Sequence, residues 1–315
     1  MKKIGNSLLL LLTAVIWGVA FVAQSKGMEY VGGFTFNSVR SLIGGVVLIP
    51  CIFLIRTWRA REKGEDAQRD AHAQSPAAGN PAAQDRKTLL KGGICCGILL
   101  CVASNLQQQG IKYTTVGKAG FITALYIVLV PILGLIFHKK VGKLVWIGVL
   151  FAVSGLYFLC ISEQFTVGRG DFLVFLCALV FSVHILVIDH FAPMVDCVAM
   201  SCIQFFICGI LSGVPMLLFE QVSWEGLKGA AVPILYAGIL SCGVAYTLQI
   251  IGQKNVNPTV ASMILSLESA VAVLAGWVLL PEQRLSGREM LGCVLMFTAV
   301  ILSQLPDNIL IRKEK

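Results

Sequence analysis

The chain has 315 residues, 57% of them hydrophobic and only 13% charged. Soluble domains carry about 25% charged residues, so 25 basic and 17 acidic side chains are too few to cover a water-exposed surface of this size. That composition excludes a cytosolic enzyme, a disordered protein and a disulfide-stapled secreted module, and leaves an all-α polytopic membrane protein. A β-barrel is excluded by the long apolar runs, because barrel strands alternate over ~10 residues.

A helix needs ~20 apolar residues to cross ~30 Å of hydrocarbon. Ten segments meet that demand, over residues 7–24, 34–55, 91–109, 117–137, 144–161, 171–190, 197–219, 230–250, 259–280 and 287–304. Lys2 and Lys3 before the first segment resemble the start of a signal peptide. Trp17 and Gly18 interrupt the run, however, and no small-residue cleavage site follows, so the segment is read as a retained helix. The second segment contains Arg40 and the pair Gly44-Gly45, which permits close helix approach.

Residues 56–88 differ from the rest. They carry Arg56, Arg59, Arg61, Glu62, Lys63, Glu65, Asp66, Arg69 and Asp70, then a run rich in Ala, Gln, Pro and Gly. Such a stretch buries too little apolar surface to fold and is expected to be a flexible cytoplasmic loop. The third segment closes on Asn105 and Gln107-Gln108-Gln109. Successive helical residues turn by ~100°, so one or two of these amides at most share a face. Pro131 in the fourth segment removes a helix hydrogen bond and predicts a kink. The eleven cysteines lie mostly in apolar runs without a CxxC pair, and are read as small buried hydrophobes.

Basic residues set the orientation. With the N-terminus in the cytoplasm, Lys2, Lys3, the basic cluster from Arg56 to Lys91, Lys139, Lys140, Lys143, Lys254, Arg312, Lys313 and Lys315 fall inside, and Lys26, Lys112, Lys118, Arg169, Lys228, Arg284 and Arg288 outside, a bias in the direction of the positive-inside rule. The net charge of +8 therefore reflects membrane topology rather than nucleic-acid binding.

The chain also matches itself. Leu106-Gln107, Gly110 and Lys112 recur at a constant offset as Leu248-Gln249, Gly252 and Lys254. Nearer the start of each half the offset is longer, with Ala14 facing Ala178 and Trp17 facing Phe181; the 56–88 insertion accounts for the difference. Five helices per half is an odd number, so the second half enters the membrane upside down. The expected organisation is helices 1–2 of a first repeat in 1–55, the loop 56–88, helices 3–5 in 89–162, a second repeat of helices 6–10 in 170–304, and a cytoplasmic tail 305–315. Inverted repeats of this kind are common in secondary transporters, with the substrate site between the halves near the midplane. No GxxxxGK[ST] motif is present, which argues against an ATP-driven pump.

An ionisable group at the bilayer centre costs ~2.5–3.5 kcal/mol on insertion scales and needs a partner or a wet cavity. Glu268, mid-way along the ninth segment, is the clearest case; it serves either a helix–helix hydrogen bond or substrate, proton or gating chemistry. Arg40 can pair with Glu268, hold an anionic substrate, or snorkel to the outer interface. His184, with Asp189 nearby, is either a satisfied core residue or a proton relay. Trp17, Gln108, Tyr126, Gln204, Tyr246 and Gln249 are candidate lining groups of a central cavity.

These residues carry a family resemblance. The run Gln108-Gln109-Gly110-Ile111-Lys112-Tyr113-Thr114, then Lys118-Ala119-Gly120-Phe121-Ile122-Thr123-Ala124-Leu125-Tyr126 and Pro131, resembles the third-to-fourth helix region of EamA-type transporters of the drug/metabolite transporter superfamily. Leu267-Glu268-Ser269, Pro281-Glu282 and Gly292 match the second half, and Trp17-Gly18 and Arg40 match the early helices. The resemblance covers roughly residues 7–304, apart from 56–88. It implies ten helices in two inverted five-helix repeats around a central cavity, and a permease for small metabolites, often an exporter of amino acids or related compounds. Ser269 stands where the family commonly has Pro, and His138-Lys139-Lys140 where it often has an acidic residue.

Sequence and resemblance together give the expectation of a bacterial cytoplasmic-membrane permease, an exporter rather than an enzyme, with both termini inside. The partners expected are a small-molecule substrate, the lipid bilayer and, through Glu268, a coupled proton. No cofactor, metal or nucleic acid is expected, and the substrate's identity and the oligomeric state are not legible. The rival reading, an embedded enzyme using His184, Asp189, His190 and Asp196, fits no recognisable metal spacing.

Overall fold

The computed structural model describes residues 2–69, 81–114, 116–136, 142–160, 168–254, 256–279 and 286–305. Among them every regular element is helical. In chain order these are α1 (Lys2–Gly27), α2 (Gly33–Arg69), α3 (Pro81–Ile111), α4 (Val116–Ala124), α5 (Tyr126–Ile136), α6 (Lys143–Cys160), α7 (Arg169–Phe191), α8 (Cys197–Phe219), α9 (Trp224–Gly229) and α10 (Ala231–Leu235). A π-helix (Tyr236–Tyr246), α11 (Thr247–Gln253), α12 (Pro258–Leu265), α13 (Leu267–Leu279) and α14 (Gly287–Gln304) complete the chain.

Eight helical stretches among the described residues are long and apolar enough to cross a membrane: Gly5–Gly27, Gly33–Ile55, Arg86–Ile111, Ala119–Ile136, Arg169–Phe191, Cys197–Phe219, Ala231–Gln253 and Pro258–Ala275. The other two expected spans are α6 and α14, which pack along each other outside that set of eight. Large apolar side chains such as Leu217, Phe219 and Val232 face outward, as a lipid solvent requires.

The segment expected to be a loop is helical over most of its described length. Backbone from α2 continues to Arg69, and α3 begins at Pro81; residues 70–80 lie outside the described residues. The physical reason is composition. Ala, Arg, Glu, Lys and Gln are strong helix formers, and Arg61/Glu65 and Glu65/Arg69 stand at the i,i+4 spacing that supports a helix in water. Low hydrophobicity there forbids a core, not a helix. Also outside the described residues are Pro281-Glu282, His138-Lys139-Lys140 and the tail from residue 306.

Two spans are interrupted. The fourth breaks at Leu125, between α4 and α5, and the ninth at Ser266, between α12 and α13. Pro131, expected to kink the fourth span, lies inside α5, beyond the break at Leu125. At the second, the hydroxyls of Ser262 and Ser266 donate back to Thr259 O and Met263 O at 2.8 Å each, competing with the main-chain ladder.

Polar contacts tie the helices to one another elsewhere. Asn37 Nδ2 on α2 donates to Ser104 O and Asn105 Oδ1 on α3, both at 3.0 Å. Asn105 Nδ2 donates to Ser212 Oγ on α8 at 2.7 Å, and Ser38 Oγ to Gly209 O at 2.9 Å. Glu220, just after α8, accepts Phe34 N at 3.0 Å and Thr35 N and Oγ1 at 2.7 Å each. It thereby satisfies orphan amides at the positive end of α2.

The close approach of α2 to the π-helix needs a missing side chain. A Cβ on Gly44 would stand 2.5 Å from Cys242 Cβ and 3.1 Å from Gly238 O. Gly44→Leu is therefore expected to destabilise the protein by about 1–3 kcal/mol through overpacking, read as a lower melting temperature in detergent. Gly5→Leu, where a Cβ meets nothing within 4 Å, leaves that temperature unchanged.

Candidate functional site

Both interrupted helices put a functional side chain on the first turn after the break. Tyr126 opens α5, and Glu268 is the second residue of α13. Tyr126 Oη donates to Glu268 Oε1 at 3.0 Å, across a sequence separation of 142 residues. That separation is the same offset that relates Gln107 to Gln249 in sequence. Repeat-equivalent positions of the two halves thus touch each other directly.

Around this bond lies a cavity of about 40 Å³, room for about one water molecule. Its wall is made of corresponding residues from the two halves. Gln107 and Gln249, Thr123 and Leu265, and Tyr126 and Glu268 share the shorter offset; Trp17 and Phe181, and Phe21 and Ile185, share the longer one. Arg40, Gln24, Ser241 and Tyr246 complete it. The cavity has an aromatic side, where Trp17 and Tyr246 lie with ring centroids 4.5 Å apart, and a polar side of amides, hydroxyls and the carboxyl.

Charges and unfilled hydrogen-bonding groups face each other here. Arg40 is 4% exposed and Glu268 5%, so Arg40 does not snorkel to the interface. Its guanidinium lies 5.7 Å from the centre of the Phe36 ring. No ion pair joins Arg40 to Glu268 among the described residues. Arg40 Nε, Trp17 Nε1, Gln24 Oε1 and Gln249 Oε1 are buried without a hydrogen-bond partner. All four belong to residues that line the cavity, and a buried polar atom without a partner costs about 1–3 kcal/mol. A glycine brings the first helix up to the main chain of Glu268: a Cβ on Gly18 would lie 2.8 Å from Glu268 O and 2.6 Å from Val271 Cβ.

Six residues singled out in the sequence thus come together on one cavity: Trp17, Arg40, Tyr126, Tyr246, Gln249 and Glu268. Gln108 does not. Its side chain packs against Gly33 at the start of α2, and its neighbour Gln107 takes the lining position, donating to Thr123 Oγ1 at 3.2 Å. His184 is fully buried one layer back. Its Nε2 meets Gln204 Oε1 at 3.3 Å, and its ring lies 6.4 Å from those of Phe181 and Tyr246. Gln204, a candidate lining group, is accordingly that histidine's partner. Phe21 and Gln24 were missed, although Trp17, Phe21 and Gln24 follow the i, i+4, i+7 pattern of one helix face.

A polytopic helical bundle with a charged, internally paired cavity at its centre defines a membrane transporter rather than a soluble binding protein. The EamA-like transporter family model matches the chain twice, over residues 5–161 and 168–305, and the protein belongs to that family. An uncharacterized transporter from Archaeoglobus fulgidus is 30% identical over 305 residues, covering 96% of this chain and 87% of the relative. The uncharacterized transporter YoaV of Bacillus subtilis is 22% identical over 295 residues, covering 92% and 93%. A solved crystal structure superposes with a TM-score of 0.73 at 18% identity, covering 99% of each chain, which supports the fold.

The Tyr126–Glu268 bond is open to direct measurement. Tyr126→Phe and Glu268→Leu, made singly and together, are expected to show a coupling of about 1–2 kcal/mol in a denaturing-detergent titration; additive effects would mean the bond contributes nothing.

Proposed function

We propose that the protein is a secondary transporter that exports a small zwitterionic metabolite of the amino-acid class across the bacterial cytoplasmic membrane by alternating access. The observation that carries this reading is the pairing of a buried guanidinium with a buried carboxyl around one cavity, with no ion pair between them. Arg40 takes the substrate carboxylate, helped by Trp17 Nε1. Glu268 takes the ammonium group, exchanging the Tyr126 hydroxyl for it. Gln24 and Gln249 supply further acceptors, and the Trp17–Tyr246 side packs against the substrate's apolar part. Proton exchange at the Glu268 carboxyl couples transport to the proton gradient. His184 supports the cavity wall behind Tyr246.

The reading includes ten spanning helices, α6 and α14 among them, in two inverted five-helix repeats with both termini in the cytoplasm. Support comes from the double family match, from interruptions at Leu125 and Ser266 that fall one residue from register, and from the corresponding residues that line the cavity. An inverted pair of halves meeting at one site is the usual architecture for alternating access.

The test compares the external metabolites of cells expressing the wild type, Glu268→Gln, Arg40→Gln or an empty vector, at equal membrane abundance. Amino acids or close relatives accumulate outside with the wild type and fall to the vector level with either variant. Identical profiles in all four would overturn the export reading. Uptake of the same class into vesicles would reverse only its direction.

A further inference from the structure

The span Ala231–Gln253 is not one regular helix. Its middle, Tyr236–Tyr246, is an eleven-residue π-helix between the short turns of α10 and α11. π-Helical stretches are rare, are usually single turns, and gather at functional sites. This one supplies two cavity residues, Ser241 and Tyr246. They stand five positions apart. In an i→i+5 helix such residues stack on one face. In an α-helix, at ~100° per residue, they would point about 140° apart. The wide coil is therefore what brings both onto the cavity.

Something must hold it, because the α form has the better hydrogen-bond geometry. Two side chains do so, one at each end, and both bind α1. Tyr236 Oη donates to Ile16 O at 3.1 Å, and Thr13 Oγ1 donates to Ala245 O at 3.1 Å. The threonine hydroxyl has a second acceptor within reach, Leu9 O of its own helix at 3.0 Å, so it releases the π-helix without leaving a buried orphan.

We propose that Thr13 and Tyr236 are positioning residues that keep Tyr236–Tyr246 in the π form, and that their release lets the segment rewind towards α, turning Tyr246 off Trp17 and opening the cavity. This rests on the cavity being the transport site, but the rewinding itself is read without any substrate. Tyr246 is the part of the wall that moves; its contact with Trp17 breaks, and the 40 Å³ space becomes continuous with water. The proposal also assigns Tyr236 a role despite its absence from the cavity wall.

The experiment uses the full-length protein in vesicles, with Ser241→Cys as reporter and a membrane-impermeant maleimide as probe, quantified at that cysteine by peptide mass spectrometry. In the wild-type background labelling is slow. Thr13→Val and Tyr236→Phe each raise its rate about fivefold, as expected for one lost hydrogen bond, and together more. Thr13→Ser, which restores the hydroxyl, returns the rate to the wild-type value. The native Cys293, buried in a cluster that holds no residue of the π-helix, stays unlabelled throughout and controls for general loosening. Unchanged labelling at position 241, or an equal rise at Cys293, would overturn the proposal. If the double variant does not reach the membrane, the single variants decide. Absence of export by the wild type, with labelling as expected, would sink the transport reading and leave the rewinding standing.

Discussion

A carboxyl inside hydrocarbon has to be matched, and the Tyr126–Glu268 hydrogen bond is where this protein meets that constraint. The rest of the centre follows from it. Both partners sit on the first turn after a helix interruption, so each half gives up main-chain regularity to bring one polar group to the middle. The serines that help break the ninth span are tolerated because neighbouring helices bury the freed backbone. Gly18 lets α1 lie close enough to cover the same turn. Arg40 lines the same cavity, with no ion pair to Glu268 among the described residues.

Beyond the centre, the helices are held by apolar clusters such as Leu48, Leu100 and Phe205 or Ile188, Met200 and Ile250, with small residues and amides where helices approach closely. The Asn37–Asn105–Ser212 chain ties α2, α3 and α8 together. Glu220 seals the amino end of α2 from a different half of the chain. The π-helix packs on α2 through Gly44 and Cys242, on α8 through Tyr246 and Phe205, and on α1 through two hydroxyl groups.

Much of the site was legible because a charge, an amide or an aromatic ring is conspicuous in an apolar run. Glu268 and Arg40 stood out by desolvation cost alone, and Trp17, Tyr126, Tyr246 and Gln249 by position. What failed had a common cause: rotation about a helix axis. Gln107 and Gln108 differ by one step of ~100°, and only packing against Gly33 decides which faces inward. Gln204 turned towards His184 for the same reason. The π-helix was invisible because every periodicity argument presupposes 3.6 residues per turn. Helical extensions into 56–88 were missed because low hydrophobicity was read as absence of structure, when charged residues at i,i+4 spacing make a helix that needs no core.

The cavity's size has a thermodynamic consequence. On the proposed reading of the cavity as the transport site, a space of about 40 Å³ is too small for an amino-acid-sized solute, and the contracted shape would be a non-binding member of the ensemble. Measured affinity is then the intrinsic affinity scaled by the fraction of molecules already expanded. A substitution that favours expansion tightens apparent binding without touching the ligand, and one that favours contraction weakens it. For a transporter such a surcharge on binding is useful, because a solute held too tightly on one side is not released on the other.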